Sequence, residues 1–309
     1  MTEKTAAEKT VAEKTVTEKT AGTGPDWLGL MPAVFVLLWS TGFIGAKYGL
    51  PYVEPLTFLL VRLALVATVL ALVALATRAP WPKSWTAAGR IALAGLLVHG
   101  VYLSGVFLAI AHGLPAGVTA LVVGLQPLLI ASLSGPLLGE RVSGRQWAGL
   151  LLGLAGVALV VREKFAIDAD HLVGLGFALA ALLGITAGTL YQKRHGAAMD
   201  LRSGTAIQYA ATALVLAVAA PLTETMRIEW TGEFIFALLW LSFVLSVGAI
   251  FLLFALIRRG AAARVSSLFY LTPPVTALVA WAMFDERLSA VALAGMAVAV
   301  AGVALVNRG

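Results

Sequence analysis

The chain has 309 residues, 60% apolar and only 12% charged, with a mean hydropathy of +0.92. A soluble domain carries about twice that share of charge, so this composition belongs to a membrane protein. The net charge of +6 is spread over short loops, which speaks against nucleic acid, and the absence of cysteine removes disulfides, thiolate metal sites and cysteine nucleophiles.

Residues 1–26 are built on a five-residue unit, EKTAA-EKTVA-EKTVT-EKTAG, whose lysines and glutamates cancel. A period of five gives no continuous apolar helical face, and there is no apolar core of a signal peptide. The segment is predicted to be a disordered low-complexity tail. Ten apolar stretches follow, each near the ~20 residues that cross a bilayer. They are placed at 28–49, 55–77, 88–111, 115–138, 144–161, 172–192, 204–221, 234–257, 262–284 and 289–307. Lipid cannot satisfy exposed backbone groups, so each is predicted helical. Trp27, Trp81, Trp85 and Trp230 fall at span edges, where the aromatic belt belongs. If the N-terminus is cytoplasmic, one side collects Arg78, Arg90, Arg141, Arg145, Arg194, Arg258, Arg264 and other basic residues. The opposite loops hold Arg162, Lys164, Arg227 and Arg287. This bias predicts that both termini are cytoplasmic.

The stretch Thr119–Val161 is then repeated from Val265 at an offset of 146 positions. Leu125, Pro127, Glu140-Arg141, Ala148-Gly149 and the run 155–160 recur as Leu271, Pro273, Glu286-Arg287, Ala294-Gly295 and 301–306. Roughly 14 identities in 36 ungapped positions exceed what composition produces. The offset also pairs Gly42 with Gly188, Lys47 with Lys193 and Arg62 with Gln208. The expected fold is an all-α membrane protein of ten transmembrane helices in two inverted five-helix repeats, residues 27–161 and 162–309. Inverted repeats are a recurrent plan of secondary transporters, with the site near midplane at the repeat interface.

WSTGFIGAKYGL at 39–50 and EPLTFLLVR at 54–62 resemble the start of an EamA-type repeat. The proline followed by Glu-Arg (Pro127, Glu140-Arg141; Pro273, Glu286-Arg287) and a Gly-rich last helix resemble its end. The resemblance covers about 28–307 and implies the drug/metabolite transporter superfamily. Its members are ten-helix inner-membrane carriers whose central cavity is formed mostly by helices 1, 3, 4, 6, 8 and 9, and many export amino acids or related metabolites.

Candidate site residues follow from polarity inside spans. Arg62 lies about eight positions into the second span, where a cation is costly. It either attracts a substrate carboxylate or snorkels to the interface and fixes packing. Pro127 and the pair Pro273–Pro274 interrupt the fourth and ninth spans at equivalent depth and free carbonyls four residues back. Gln126 and Thr272 sit beside these kinks, either as pocket groups or as interhelical glue. His99 and Tyr102 share a helix face, and His99 is a candidate proton carrier or a packing residue. Among the aromatics inside spans (Trp39, Tyr191, Tyr209, Trp240, Phe269, Tyr270, Trp281), the candidates for the cavity wall are Trp39, Trp240 and Tyr270. Glycines of the fifth and tenth spans allow close helix approach.

All 16 Asp and Glu residues lie in the tail, loops or helix ends. An intramembrane carboxylate is the usual counter-ion of a cation pathway, so its absence weighs against a lipophilic-cation exporter. No nucleophile–base pair or metal set can be assembled, so the chain reads as no enzyme and as needing no cofactor or metal. The leading reading is an alternating-access exporter of amino acids or related small metabolites in the inner membrane. The alternatives are a drug-cation exporter and a non-transporting scaffold or sensor. Expected partners are a small-molecule substrate and lipid, not nucleic acid, with the chain a monomer or weak homodimer.

Overall fold

A computed structural model describes residues 27–114, 116–161, 172–196, 199–260, 262–275, 278–279 and 289–308. The tail, Trp281 and the pair Glu286–Arg287 lie outside them. Helices dominate the described residues, and the extended chain is confined to loops that carry one isolated bridge, Val53–Ile228. Helix α1 is Trp27–Gly49 and α2 is Pro55–Ala76. Helix α3 is Trp85–Ala111, with a π-wound stretch at Leu96–Val101. The next helices are α4 (Ala116–Val123), α5 (Gln126–Leu138), α6 (Gly144–Val161), α7 (Leu172–His195) and α8 (Leu201–Thr223). Helix α9 is Gly232–Arg259, π-wound over Trp240–Ala249; α10 is Ala262–Ser267 and α11 is Ala290–Asn307.

Among the described residues, seven helices are long and apolar enough to cross a membrane: α1, α2, α3, α7, α8, α9 and α11. They account for seven of the ten stretches read from the sequence. The fourth stretch is two helices, α4 and α5, because Pro127 has no N–H to bond the Val123 carbonyl, and α4 ends at that residue. The ninth begins as α10 and tightens to a 3₁₀ turn at Leu268–Leu271 before Pro273 and Pro274. The outer surface is apolar, with Leu72, Leu75, Leu183, Leu214 and Leu222 all exposed. In water such a surface would aggregate; in lipid it is solvated.

The packing repeats itself under the 146-residue offset. Helices α6 and α11 are repeat mates and pack antiparallel: a Cβ on Gly149 would lie 2.7 Å from Gly302 O, and one on Gly156 would lie 2.7 Å from Gly295 O. Helix α1 meets α9 where Gly42 faces Leu245, and α3 meets α7 where Gly188, the mate of Gly42, faces Val98.

Helices α2 and α8, also mates, are fastened at both ends. At one end the Glu224 carboxylate accepts from Leu56 N, Thr57 N and Thr57 Oγ1, each at 2.7 Å. Glu54 returns the arrangement by accepting from Thr225 N and Thr225 Oγ1 at 2.7 Å. Each carboxylate satisfies backbone donors that the helix or turn leaves open. Replacing Glu224 with Gln is expected to cost about 1–2 kcal/mol, as losing a helix cap does. It would be read as a lower Tm in detergent against Glu229→Gln as control, and an unchanged Tm would show the cap to be without weight.

At the other end Arg202 donates to Thr77 Oγ1 at 2.9 Å and Ser203 Oγ donates to Pro80 O at 2.6 Å. Asp200 caps α8 there, accepting from Arg202 N at 2.9 Å and pairing with the Arg202 guanidinium at 2.8 Å. The hydrogen bond from that guanidinium, helped by the backbone donors and against partial burial, holds the Asp200 carboxyl below the ordinary 3.8. A depressed carboxyl contributes stability that is full above the unfolded value and is lost as pH falls through the folded one. Asp200→Asn is therefore expected to lower Tm at pH 7 and to flatten the loss of Tm below about pH 4. An acid limb as steep as that of the unsubstituted protein would contradict this.

Candidate functional site

Five helices converge on a cavity in the middle of the bundle. Trp39 comes from α1, Arg62 from α2, His99 and Tyr102 from α3, Tyr209 from α8 and Leu245 from α9. Its volume is about 40 Å³, room for roughly three waters. A larger cleft of about 220 Å³ lies at helix ends, between Pro80–Pro82 and the start of α8. Its residues face the bundle's rim, whereas the central cavity holds the costly buried charge.

Arg62 is 4% exposed, and its only hydrogen bond among the described residues runs from Nε to Ser246 Oγ at 3.0 Å. Ser246 Oγ in turn donates to Leu241 O at 3.0 Å, five residues back in the π-wound stretch of α9. The Tyr209 hydroxyl donates to the Ser246 carbonyl. So the widened turn of α9 presents both oxygens of one serine to side chains from α2 and α8. The second π-wound stretch places His99 against the Tyr209 ring, centroids 4.4 Å apart. The offset of 146 carries the stretch in α3 onto the stretch in α9, so each repeat widens a helix at the same place and lines the cavity with it. Such insertions recur at functional sites because they re-aim side chains.

Aromatic clusters flank the lining residues Phe107 and Trp39. Phe58 lies edge-on to Phe107 at 5.6 Å and tilts against Phe234 at 5.4 Å, near the start of α2. On the other side Trp39 packs edge-on to Phe269 at 5.2 Å and against Phe35 at 5.2 Å. Trp39 and Tyr102 lie parallel across the cavity, centroids 6.2 Å apart.

The structure thus brings together Trp39, Arg62, His99 and Tyr102 of the residues singled out in the sequence. It places the others elsewhere. Gln126 is buried between α5 and α7, its Nε2 donating to Thr189 Oγ1 at 3.1 Å. Tyr270 is buried with its ring against Gly153 of α6. The Thr272 carbonyl accepts from Ser40 Oγ at 3.3 Å. Trp240 stacks on Phe236 and its Nε1 donates to Thr41 Oγ1 at 2.9 Å, joining α9 to α1. Pro127 starts α5, and Pro273 and Pro274 follow the 3₁₀ turn, so the prolines shape helices without lining the cavity. Sequence reasoning passed over Tyr209 and Ser246. The signal for Tyr209 was available: it adjoins Gln208, the mate of Arg62. Helices α2 and α8, the second and seventh apolar stretches, supply lining residues beyond the stretches 1, 3, 4, 6, 8 and 9 that the family resemblance implies.

The chain matches the EamA-like transporter family over residues 27–162 and again over 172–308. It is 30% identical over 288 residues to YvbV of Bacillus subtilis (strain 168), an uncharacterized transporter, covering 90% of each chain. It is 27% identical over 293 residues to a probable amino-acid metabolite efflux pump of Escherichia coli (strain K12), covering 89% of this chain and 92% of that one. A solved crystal structure superposes with a TM-score of 0.77 at 23% identity, covering 92% of this chain and 98% of that one, which speaks to the fold alone. With two matches that together span nearly all of the described helices, the chain belongs to the EamA-like transporter family, as an integral inner-membrane transporter.

Proposed function

We propose that the protein is a secondary carrier that exports amino acids or related small metabolites bearing a carboxylate, by alternating access around the central cavity. The observation that carries this is the Arg62 guanidinium, buried mid-bundle with its Nη atoms free of hydrogen bonds among the described residues and no carboxylate beside it. A buried cation without a partner is costly, and a substrate carboxylate is the partner that relieves the cost when it binds. The name of the Escherichia coli relative agrees with this substrate class.

The carrier reading assigns residues 27–161 and 162–309 to two inverted five-helix repeats, with residues 1–26 as a tail and both termini cytoplasmic. Antiparallel packing of the mates α6 and α11, and of α2 and α8, supports an inverted arrangement, since a two-fold axis across the helices relates antiparallel copies.

The test is counterflow in proteoliposomes with labelled threonine, phenylalanine, tryptophan, glutamate and the ammonium-free carboxylate 3-phenylpropionate, beside a quaternary ammonium compound. Flux of one or more carboxylate compounds, reduced in Trp39→Ala, is the expected result. Movement of the quaternary cation alone, or of no carboxylate compound above protein-free vesicles, would overturn the proposal.

A further inference from the structure

The charge of the cavity narrows the substrate further, and this step rests on the carrier reading above. We infer that the ligand carried in the central cavity is a net organic anion with an apolar or aromatic body, not a zwitterion and not a cation. Among the described residues that line the cavity, Arg62 is the one with a fixed charge, its guanidinium. Every Asp and Glu among the described residues, from Glu54 to Glu233, stands at a helix end or in a loop. The groups around Arg62 are two phenols, an indole, an imidazole and the Ser246 hydroxyl, with no carboxylate among the described lining residues. The Tyr209 hydroxyl is already committed to the Ser246 carbonyl. The remaining wall is apolar, with Val98, Leu103, Val106 and Leu245.

A zwitterionic amino acid places its ammonium within ~6 Å of its own carboxylate, hence close to Arg62. There it finds a like charge and no anionic side chain among the described residues. In a medium of intermediate dielectric that repulsion corresponds to roughly a hundredfold in affinity. The same skeleton without the ammonium gains the Arg62 contact and puts a ring or chain against an apolar wall instead. A cation of that skeleton keeps the apolar contact but meets Arg62 as a like charge. The relevant compounds are therefore acids that have lost or masked the amino group.

The test uses three compounds of one skeleton, with charges −1, 0 and +1 at pH 7: 3-phenylpropionate, phenylalanine and phenethylamine. Their Kd values are measured on the full-length protein in nanodiscs by intrinsic tryptophan fluorescence, and counterflow is run with the same three. The expected order is 3-phenylpropionate about a hundredfold tighter than phenylalanine, with phenethylamine not bound. Arg62→Gln is expected to abolish the preference for the anion. Ser246→Ala keeps the charge but loosens the guanidinium, so it would weaken the anion about threefold to tenfold and preserve the order. Phenylalanine binding as tightly as 3-phenylpropionate, and losing affinity in Arg62→Gln, would overturn this inference while leaving the carrier and its carboxylate anchor standing. An anion preference that survives Arg62→Gln would also overturn it, because the source of selectivity would lie elsewhere. Failure of all three compounds to bind or move would overturn the inference together with the reading beneath it.

Discussion

Replacing Arg62 with Gln is expected to reduce carboxylate counterflow about tenfold to a hundredfold without unfolding the protein. A hydrogen bond to a charged group contributes about 1.5–3 kcal/mol, and this substitution removes the one guanidinium among the described residues of the cavity wall. The fold should tolerate it, because the charge itself is a burden. With the guanidinium bound only through Nε to Ser246, exchanging it for a neutral amide removes desolvation cost as well as one contact. The repeat already contains the test in outline, since the mate of Arg62 is Gln208, buried in α8. Arg62→Gln should therefore hold or raise Tm while flux collapses. Arg62→Lys keeps the charge but cannot reproduce the planar fork and its Nε bond to Ser246, so partial recovery is expected. Flux within threefold of the unsubstituted protein in Arg62→Gln would remove Arg62 from the site. Initial rates normalised to folded protein by size exclusion make that distinction.

The largest effect on stability is expected at Gly156. A Cβ there would sit 2.3 Å from Ala299 N, 2.7 Å from Gly295 O and 2.8 Å from Ala299 Cα, all backbone atoms of α11. Backbone cannot rotate out of the way as a side-chain tip does, so α6 and α11 must separate. In lipid, helix association depends on such close packing, because lipid tails are as apolar as the side chains they replace. Gly156→Ala is expected to cost about 1–3 kcal/mol, the range of overpacked cores, and Gly156→Leu to leave no monodisperse protein. Gly89→Ala is the contrast. Nothing lies within 4 Å of a Cβ at that helical position, so alanine should stabilise by up to ~1 kcal/mol through the unfolded chain. Thermal scanning of the three variants in one detergent checks both signs. Equal Tm for Gly156→Ala and Gly89→Ala would show that the α6–α11 contact is not a tight one.

Much of the architecture was legible in the residues because membrane helices are written in length and composition. Apolar runs near 20 residues marked the helices, Pro127 and Pro273 marked where they break, and the offset of 146 marked the duplication before any contact was known. The depth of Arg62, His99 and Tyr102 also followed, since each residue advances a helix by ~1.5 Å.

The direction in which each side chain points was a different matter. In a soluble bundle the polar face reveals the buried one, but these helices are apolar all round, and lipid and protein interior make the same demand on them. That is why Gln126 and Arg62 looked alike in the sequence. Each was a polar group inside a span, yet Gln126 is tucked between α5 and α7 while Arg62 opens onto the cavity. Tyr209 and Ser246 reach Arg62 only because α8 packs antiparallel on α2 and α9 widens by a π-wound stretch, and neither is a local property of the chain. The sequence by itself determined which groups lie inside the membrane and at what depth, through hydropathy and helical rise. Tertiary packing alone decided which of them share one cavity, because rotation about a uniformly apolar helix is settled by the neighbours it meets.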